Sequence, residues 1–161
     1  MIQTLGLYRA PGDNKAVNKL VEQFGVDGRT PVFLDTSPHV LTNVVKRYLI
    51  NLAEPLLTYE LFMPFIEAAE ATDPDGNLMW NLLNRLPARH IAVLRRLMAH
   101  LRRVSNREEI NKFSRDAAAM AFGAVIVRHR DPSEIRANIQ RLPAVVAKLM
   151  KLNWAKGSGV L

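Results

Sequence analysis

The sequence contains no cysteine. This absence excludes disulfide bonds, thiolate nucleophiles and cysteine-ligated metals, and it favours a reducing compartment. Long apolar runs are also missing, since no stretch approaches the roughly eighteen apolar residues that a membrane-spanning helix requires. Met1 is not followed by the basic and apolar segments of a secretory signal. We therefore expect a soluble protein in the cytoplasm.

Sequence motifs of enzymes that catalyse a reaction without a partner protein are missing as well. The chain has neither a Walker-type glycine loop nor a GxSxG elbow, and it has no HExxH pair. Its four histidines lie on different predicted elements: His39, His90, His100 and His129. The sequence therefore predicts no metal site, no cofactor of its own and no catalysis by this chain alone.

Acidic residues are outnumbered, with 15 acidic against 22 basic residues and a formal charge of +7. Such a balance favours an anionic partner: nucleic acid, an acidic membrane surface or an acidic protein face. Much of the excess lies in Arg95, Arg96, Arg102, Arg103 and Arg107, followed by Arg128 and Arg130. Aromatic residues are not interleaved with these arginines, so a nucleic-acid partner is not expected. A solvated helix face explains the same pattern.

The 161 residues fit a single domain, and a hydrophobic fraction of 48% is enough for a substantial core. Apolar residues recur at helical spacing, while Val32 to Leu34 is too short and isolated to predict a sheet. The predicted helices begin at Asp13 or Asn14, after a Ser37 cap, after a Thr58 cap, near Leu78, at Pro87, at Ser114, at Pro132 and at Pro143.

Residues 105–111 form a connection or a short helical turn in this prediction. The fold class is therefore all-α, a single irregular helical bundle of about seven to nine helices. We assign residues 1–156 to this domain and residues 157–161, which contain Gly-Ser-Gly, to a flexible tail.

The best-patterned helix covers His39 to about Leu52 and has two distinct faces. The apolar face, expected to be buried, carries Leu41, Val44, Val45, Tyr48, Leu49 and Leu52. The opposite face carries Asn43, Lys46, Arg47 and Ile50. Ile50 is either a single exposed apolar residue or the apolar centre of a partner-binding patch with a polar rim.

The segment from Ser114 to about Val127 is small and apolar. Its alanines, together with Met120, Phe122 and Gly123, suit a central helix that packs closely on several sides. It is too short to cross a membrane.

One arginine lies in a loop rich in glycine and proline. Arg9 stands between Gly6 and Gly12 and close to Pro11, a composition that favours a rigid turn. Its planar fork of donors matches phosphate geometry, so Arg9 is a candidate phosphate-facing residue, although an ordinary exposed arginine fits too. On a helical domain without catalytic residues, such an arginine can act in trans on a nucleotide bound to another protein.

The order of these segments resembles the Rho-family GTPase-activating (RhoGAP) domain over roughly residues 4 to 130. The resemblance is carried by Gly6-Leu7-Tyr8-Arg9 with Gly12, Val17-Asn18-Lys19-Leu20 with Phe24, Lys46 to Thr58, Leu86-Pro87, His100-Leu101 with Val104, Asn111-Lys112-Phe113, and Ala119 to Gly123. Its specificity comes from the ordered spacing of these segments.

This resemblance implies that Arg9 is an arginine finger and that Lys46 supports the finger loop and contacts the GTPase. The substrate would be GTP on a Rho-type GTPase, which supplies its own Mg²⁺ and its own water-positioning glutamine. We expect the domain to act in signal transduction as a GTPase activator and not as an enzyme on its own. Asn43, Arg47 and Ile50 are the remaining expected partner-binding residues.

Several positions depart from the family pattern. They are Pro11, where a small residue is usual, Ile50 for a second basic residue, Ala53 for a proline, and Ala117, Ala124 and Val125 for asparagine, proline and asparagine. A helix also normally precedes the finger loop, whereas this sequence begins almost at the loop. These changes leave two alternatives open: a catalytically weak GTPase-binding scaffold of the same fold, and a basic helical module that binds acidic membrane.

Overall fold

The computed structural model describes residues 2–26 and 36–155, and in these ranges the chain forms nine α-helices and no strand. The helices are Asn14–Val26 (α1), Pro38–Asn51 (α2), Phe62–Glu70 (α3), Asn77–Leu83 (α4), Ala88–Ser105 (α5), Glu108–Asn111 (α6), Arg115–Ile126 (α7), Pro132–Asn138 (α8) and Leu142–Lys151 (α9). The predicted all-α class is confirmed. The apolar run 32–34 and the predicted tail 157–161 lie outside the described residues. No helix in the described part is long and apolar enough to cross a membrane.

Side-chain caps fix several helix starts. Three side chains at helix starts accept a hydrogen bond from a backbone N–H: Asp13 from Ala16 at 2.8 Å, Ser114 from Ala117 at 3.0 Å and Asp131 from Ser133 at 2.8 Å. Each bond satisfies one of the donors that a helix leaves unpaired at its first turn. Ser37 precedes α2 as predicted, but its side chain makes no capping bond.

The prediction of a helix capped by Thr58 is wrong. Thr58 has a left-handed backbone with φ +58°, and its N–H donates to the Pro55 carbonyl at 2.9 Å. This turn keeps the chain out of helical geometry, so α3 begins only at Phe62. Smaller differences occur at α1, which continues one residue past Gly25, and at α9, which begins one residue before Pro143.

The core lies where α7 meets α9, α5 and α2. Gly123 allows α7 and α9 to pack closely, because a Cβ at this position would lie only 3.1 Å from the Pro143 nitrogen. Buried residues of α3 and α5 fill the surrounding layers: Phe62, Phe65, Ile66, Leu94, Met98, Leu101 and Val104. The central place predicted for the 114–127 segment is therefore confirmed in large part.

One side of α7 nevertheless faces solvent. Met120 is 74% exposed, and Ala124 is exposed on the same side of the helix. An apolar sequence does not specify how many neighbours surround a helix, and α7 has neighbours on only part of its circumference. The prediction of close packing on several sides is correct for Ala118 and Phe122 but wrong for Met120.

The apolar face of α2 is only partly covered. Val44 and Leu49 are buried as predicted, whereas Val45 is 37% and Tyr48 46% exposed. These two line a groove of about 520 Å³ that separates α2 from Val93 and other residues of α5. Helical periodicity gives the direction of a side chain but not the presence of a second element above it.

The arginines of α5 divide into two groups. Arg96 and Arg103 are exposed, as expected of a solvated face. Arg102 is half-buried and donates to the carbonyls of Met150, at 2.6 Å, and Leu152. It therefore binds the carboxyl end of α9, where carbonyl groups lack helical partners. The solvated-face interpretation is wrong for Arg102.

We expect Leu101→Ala to lower the free energy of unfolding by about 2–5 kcal/mol, because Leu101 is 0% exposed and its truncation leaves a cavity. Urea denaturation followed by circular dichroism measures the change. The matched control is Leu78→Ala, also on a helix but 44% exposed, for which we expect about 0.5 kcal/mol or less. Equal losses in both variants would contradict the described core.

Candidate functional site

The loop around Arg9 is a tight turn stabilised by its own backbone. The Gly6 carbonyl accepts the N–H groups of Arg9 at 3.0 Å and Ala10 at 2.8 Å, and Gly6 itself has φ +71°. Glycine adopts this left-handed geometry without steric cost. Leu7 and Tyr8 are buried while Arg9 is exposed. The turn therefore anchors two side chains in the core and directs the next one outward.

Asn111 joins the loop to the carboxyl end of α6. Its carbonyl accepts the Gly6 N–H at 2.9 Å, and its side-chain amide donates to the Ile2 and Val104 carbonyls, both at 2.8 Å. Its side-chain oxygen accepts the Phe113 N–H at 2.8 Å. Because Asn111 is buried, all of these bonds are made away from water, and leaving any of its polar groups unpaired would be costly.

Two residues of α2 contact the loop from the other side. Lys46 Nζ donates to the Tyr8 carbonyl at 3.1 Å, and Asn43 Nδ2 donates to the Ala10 carbonyl at 3.3 Å. Burial lowers the pKa of Lys46, whose partner in the loop is a neutral carbonyl. Gly12 allows the close approach, because a Cβ there would lie 2.7 Å from Val40 Cα.

The side chain of Tyr8 makes the third connection. Its hydroxyl oxygen lies 2.7 Å from Nε2 of His100 on α5, and its ring packs against Phe113 and Phe122 with centroid distances of 5.3 and 5.1 Å. Burial raises the pKa of Tyr8 and, with help from the charge of Arg103, lowers the pKa of His100. At neutral pH the hydroxyl therefore lies against a neutral imidazole, whose tautomer determines which of the two groups donates.

Arg9 itself is held by one long hydrogen bond. Its Nη1 donates to the Lys112 carbonyl at 3.3 Å, and the side chain is exposed. Among the described residues, Arg9 makes no ion pair. A permanent positive charge with a planar set of donors thus extends from a braced backbone, with little to prevent its transfer to an anionic ligand.

The structure brings three of the predicted site residues together and leaves two apart from the loop. Arg9, Asn43 and Lys46 meet through the loop backbone, as described above. Arg47 instead donates to Asn18 on α1 at 3.4 Å, and Ile50 is 41% exposed one helical turn beyond Lys46. Asn43 and Lys46 are therefore loop supports, whereas Ile50 belongs to the outer surface of α2.

The positions that depart from the family pattern lie in different environments. Pro11 and Ala53 are exposed, and Ala124 is exposed beside the half-buried Ala117 on α7. Val125 is buried, so its side chain belongs to the core and is not part of a contact surface. At Ala117, Met120 and Ala124 this side of α7 offers methyl groups and a thioether, and Ala117 cannot make the side-chain hydrogen bonds of the family's usual asparagine.

Sequence reasoning missed the roles of Tyr8, His100 and Asn111. Each was noted only as a landmark of the resemblance, since no periodic pattern predicts a side chain that turns back onto a loop. A large aromatic residue between Gly6 and Arg9 was the one available signal, because bulky residues rarely occupy such turns without an anchoring contact. Among the described residues, no group of three or more histidine, aspartate or glutamate side chains could hold a metal ion.

Comparison with known proteins agrees with this arrangement. The model of the RhoGAP domain matches residues 1–131. The chain is 36% identical to Rac GTPase-activating protein 1 of Mus musculus over 154 residues, which is 91% of this chain and 24% of that protein. It is 33% identical to N-chimaerin of Rattus norvegicus over 153 residues, which is 91% of this chain and 46% of that protein. The chain therefore spans less than half of the length of either relative.

Solved structures are similar over most of the chain. The BH domain from GRAF, the GTPase regulator associated with focal adhesion kinase, has a TM-score of 0.81 and 26% identity, covering 92% of this chain and 81% of that chain. Human Rho GTPase activating protein 15 has a TM-score of 0.85 at 21% identity, covering 98% of this chain and 77% of that chain. The second likeness concerns the fold alone.

Acid should destabilise this site through His100. Because its folded-state pKa is lowered, the unfolded chain binds a proton near the ordinary pKa of about 6.5 while the folded chain does not. We expect the free energy of unfolding to fall as the pH drops from 7.5 to 5.5. His100→Gln should make this slope shallower in urea titrations across the range. Identical slopes in both proteins would show that His100 titrates alike in the two states.

Proposed function

The chain belongs to the RhoGAP domain family, and on that premise we propose that it binds a Rho-family small GTPase and accelerates hydrolysis of the bound GTP. Arg9 acts as the arginine finger, in trans. The observation that carries this proposal is the loop itself, which buries Leu7 and Tyr8 and exposes the guanidinium that follows them. Such a loop can place the Arg9 side chain in the active site of another protein while the loop backbone keeps its conformation.

Hydrolysis of the bound GTP requires few other groups from this chain. During phosphoryl transfer to water, negative charge is spread over the γ-phosphate oxygens and the leaving oxygen. A guanidinium placed there in a water-poor site stabilises that charge, with donors that match phosphate geometry. The nucleotide, the Mg²⁺ and the group that orients the water belong to the GTPase. Among the contacts with described residues, Arg9 needs to give up its 3.3 Å bond to the Lys112 carbonyl to reach them.

Lys46 has a double role in this proposal. An ammonium group carries three donors, and one of them is used on the Tyr8 carbonyl. The other two are available to the GTPase, since the side chain is only half-buried. Lys46 therefore holds the loop and contributes to the contact surface at once.

We place the remaining residues of the GTPase-binding surface on α2. Ile50 is exposed one turn beyond Lys46, and Arg47 is exposed beside it. An apolar centre with polar neighbours is the usual composition of a protein interface. We assign Asn43, Arg47 and Ile50 to association with the GTPase and Arg9 to the reaction.

A second candidate is a scaffold of the same fold that binds a GTPase without accelerating hydrolysis. It is favoured by Ile50 and Ala117, which stand where the family usually has a basic residue and an asparagine and which offer no side-chain hydrogen bonds to a partner. Binding to acidic membrane also stays a prediction. Its support is the exposed face of α5, where Arg89, Arg96 and Arg103 follow one another at intervals of seven residues. The same charges would speed association with an acidic GTPase.

We expect Arg9→Ala to lower the stimulated rate of GTP hydrolysis by about 10³- to 10⁵-fold, the range typical of arginine fingers. The measurement is single-turnover hydrolysis by a panel of Rho-type GTPases at saturating domain. Arg9→Lys is the matched variant and should recover little, because an ammonium lacks the planar fork. Affinity for a GTPase loaded with a non-hydrolysable GTP analogue should change only a few-fold in either variant.

The same assay separates the candidates. Strong stimulation by the wild type that disappears in Arg9→Ala supports the finger. Equal stimulation by wild type and Arg9→Ala would overturn the assignment of Arg9. Tight binding to the analogue-loaded GTPase without stimulation by the wild type would favour the scaffold.

We expect Lys46→Met to lower the stimulated rate by about 10- to 100-fold, because a hydrogen bond from a charged donor contributes about 1.5–3 kcal/mol. Methionine retains the apolar stem but cannot donate to the Tyr8 carbonyl. Lys151→Met, an exposed position at the end of α9, is the control and should leave the rate unchanged. A Lys46→Met variant with the wild-type rate would mean that Lys46 does not support the loop.

A further inference from the structure

Tyr8 immediately precedes Arg9 and is one of the most constrained residues of the loop. It is 2% exposed, and its φ of +62° lies in the left-handed region. For a bulky residue this geometry is costly and persists only where surrounding contacts enforce it. Tyr8 therefore sets the direction in which the Arg9 side chain leaves the loop.

The contacts that enforce this geometry come from different helices. Lys46 of α2 holds the Tyr8 carbonyl at 3.1 Å, and Phe122 of α7 packs on the ring at a centroid distance of 5.1 Å. Neither contact fixes how deeply the ring is inserted or how it is rotated. The hydroxyl does so, since it lies 2.7 Å from Nε2 of His100 on α5.

This hydroxyl is not needed for packing. A phenylalanine ring would make the same contacts with Phe113 and Phe122, and it would bring no polar group into the core that requires a partner. A buried hydroxyl is destabilising without an acceptor, and a hydrogen bond restricts the ring to one orientation. The Tyr8–His100 pair thus adds directional restraint at the residue before Arg9.

We propose that Tyr8 and His100 form a positioning pair that fixes the loop backbone in the orientation from which Arg9 reaches the transition state. The proposal rests on the proposed function of Arg9. Neither residue touches the nucleotide; both act through the backbone between Tyr8 and Arg9. The lowered pKa of His100 is consistent with the pair, because a neutral imidazole that carries its proton at Nδ1 leaves Nε2 as an acceptor for the Tyr8 hydroxyl.

The first experiment uses Tyr8→Phe, which removes the hydroxyl and keeps the ring. We expect the maximal rate of stimulated hydrolysis to fall about 3- to 10-fold, the effect of one neutral hydrogen bond. Affinity for a GTPase loaded with GDP and aluminium fluoride, which mimics the transition state, should fall by the same factor. Affinity for a GTPase loaded with a non-hydrolysable GTP analogue should stay unchanged. A merely structural role would lower both affinities together.

The pair is then tested as a unit with His100→Leu and His100→Gln. His100→Leu should lower the rate at least as much as Tyr8→Phe, because it also leaves the buried hydroxyl without a partner, and the double variant should be no worse than His100→Leu, because both changes remove the same bond. His100→Gln retains an acceptor and should recover most of the rate. Tyr59→Phe is the matched control, since it removes a hydroxyl that donates to the Ala53 carbonyl at 3.3 Å, away from the loop.

The outcomes are separable. Wild-type rates in Tyr8→Phe, or additive losses in the double variant, would overturn the positioning pair while leaving the finger intact. If Tyr8→Phe lowered the affinities for the aluminium-fluoride-loaded and the analogue-loaded GTPase equally, the pair would be a structural contact and not a positioning pair. If the wild type does not stimulate hydrolysis, or if Arg9→Ala stimulates equally, the proposed function fails and this inference fails with it.

Discussion

The left-handed backbone at Tyr8 costs about 1–3 kcal/mol, and the geometry of the whole loop depends on contacts that offset this cost. Lys46 holds the carbonyl, His100 holds the hydroxyl, and Phe122 packs on the ring. Because these contacts come from three helices, the loop keeps its shape only while the helices keep their arrangement. The position of Arg9 is thus a property of the folded domain and not of its own short segment.

The core explains why that arrangement is stable. Helix α7 packs against α9, α5 and α2, and Gly123 allows the approach of α9. Asn111 adds a buried polar junction that joins the loop to α5 and to the start of α7. The apolar interior fixes the helices, and the few polar groups at its edge fix the loop. The backbone that carries the Arg9 side chain is therefore pre-organised before any partner arrives.

Much of this could be read from the sequence. The all-α class and the helix starts at Asp13 and Asp131 follow from local chemistry, and the structure confirms them. Periodicity failed where tertiary contacts decide burial, as at Tyr48 and Met120, which are exposed although the nearby apolar residues Val44 and Phe122 are buried. It failed at Thr58 because a turn after Pro55 competes with the helix.

The candidate site was only half predictable. Arg9 stood out through its glycine- and proline-rich loop and Lys46 through the resemblance, and the structure places Lys46 on the loop beside Arg9. Tyr8 with His100 could not be found in the same way, because 92 residues separate them and no motif joins them. Long-range polar pairs of this kind depend on how loops and helices pack against one another, and local sequence patterns do not encode that packing.

The central claim is that a loop braced through Tyr8 presents Arg9 to a nucleotide held by another protein. A crystal structure of the domain with a Rho-type GTPase carrying GDP and aluminium fluoride tests it most directly. The account predicts the Arg9 guanidinium within about 3 Å of the fluoride, with the Tyr8 hydroxyl still on His100 and the contact to Lys112 broken. A complex in which Arg9 stays on the Lys112 carbonyl and no atom of the loop enters the nucleotide site would contradict it.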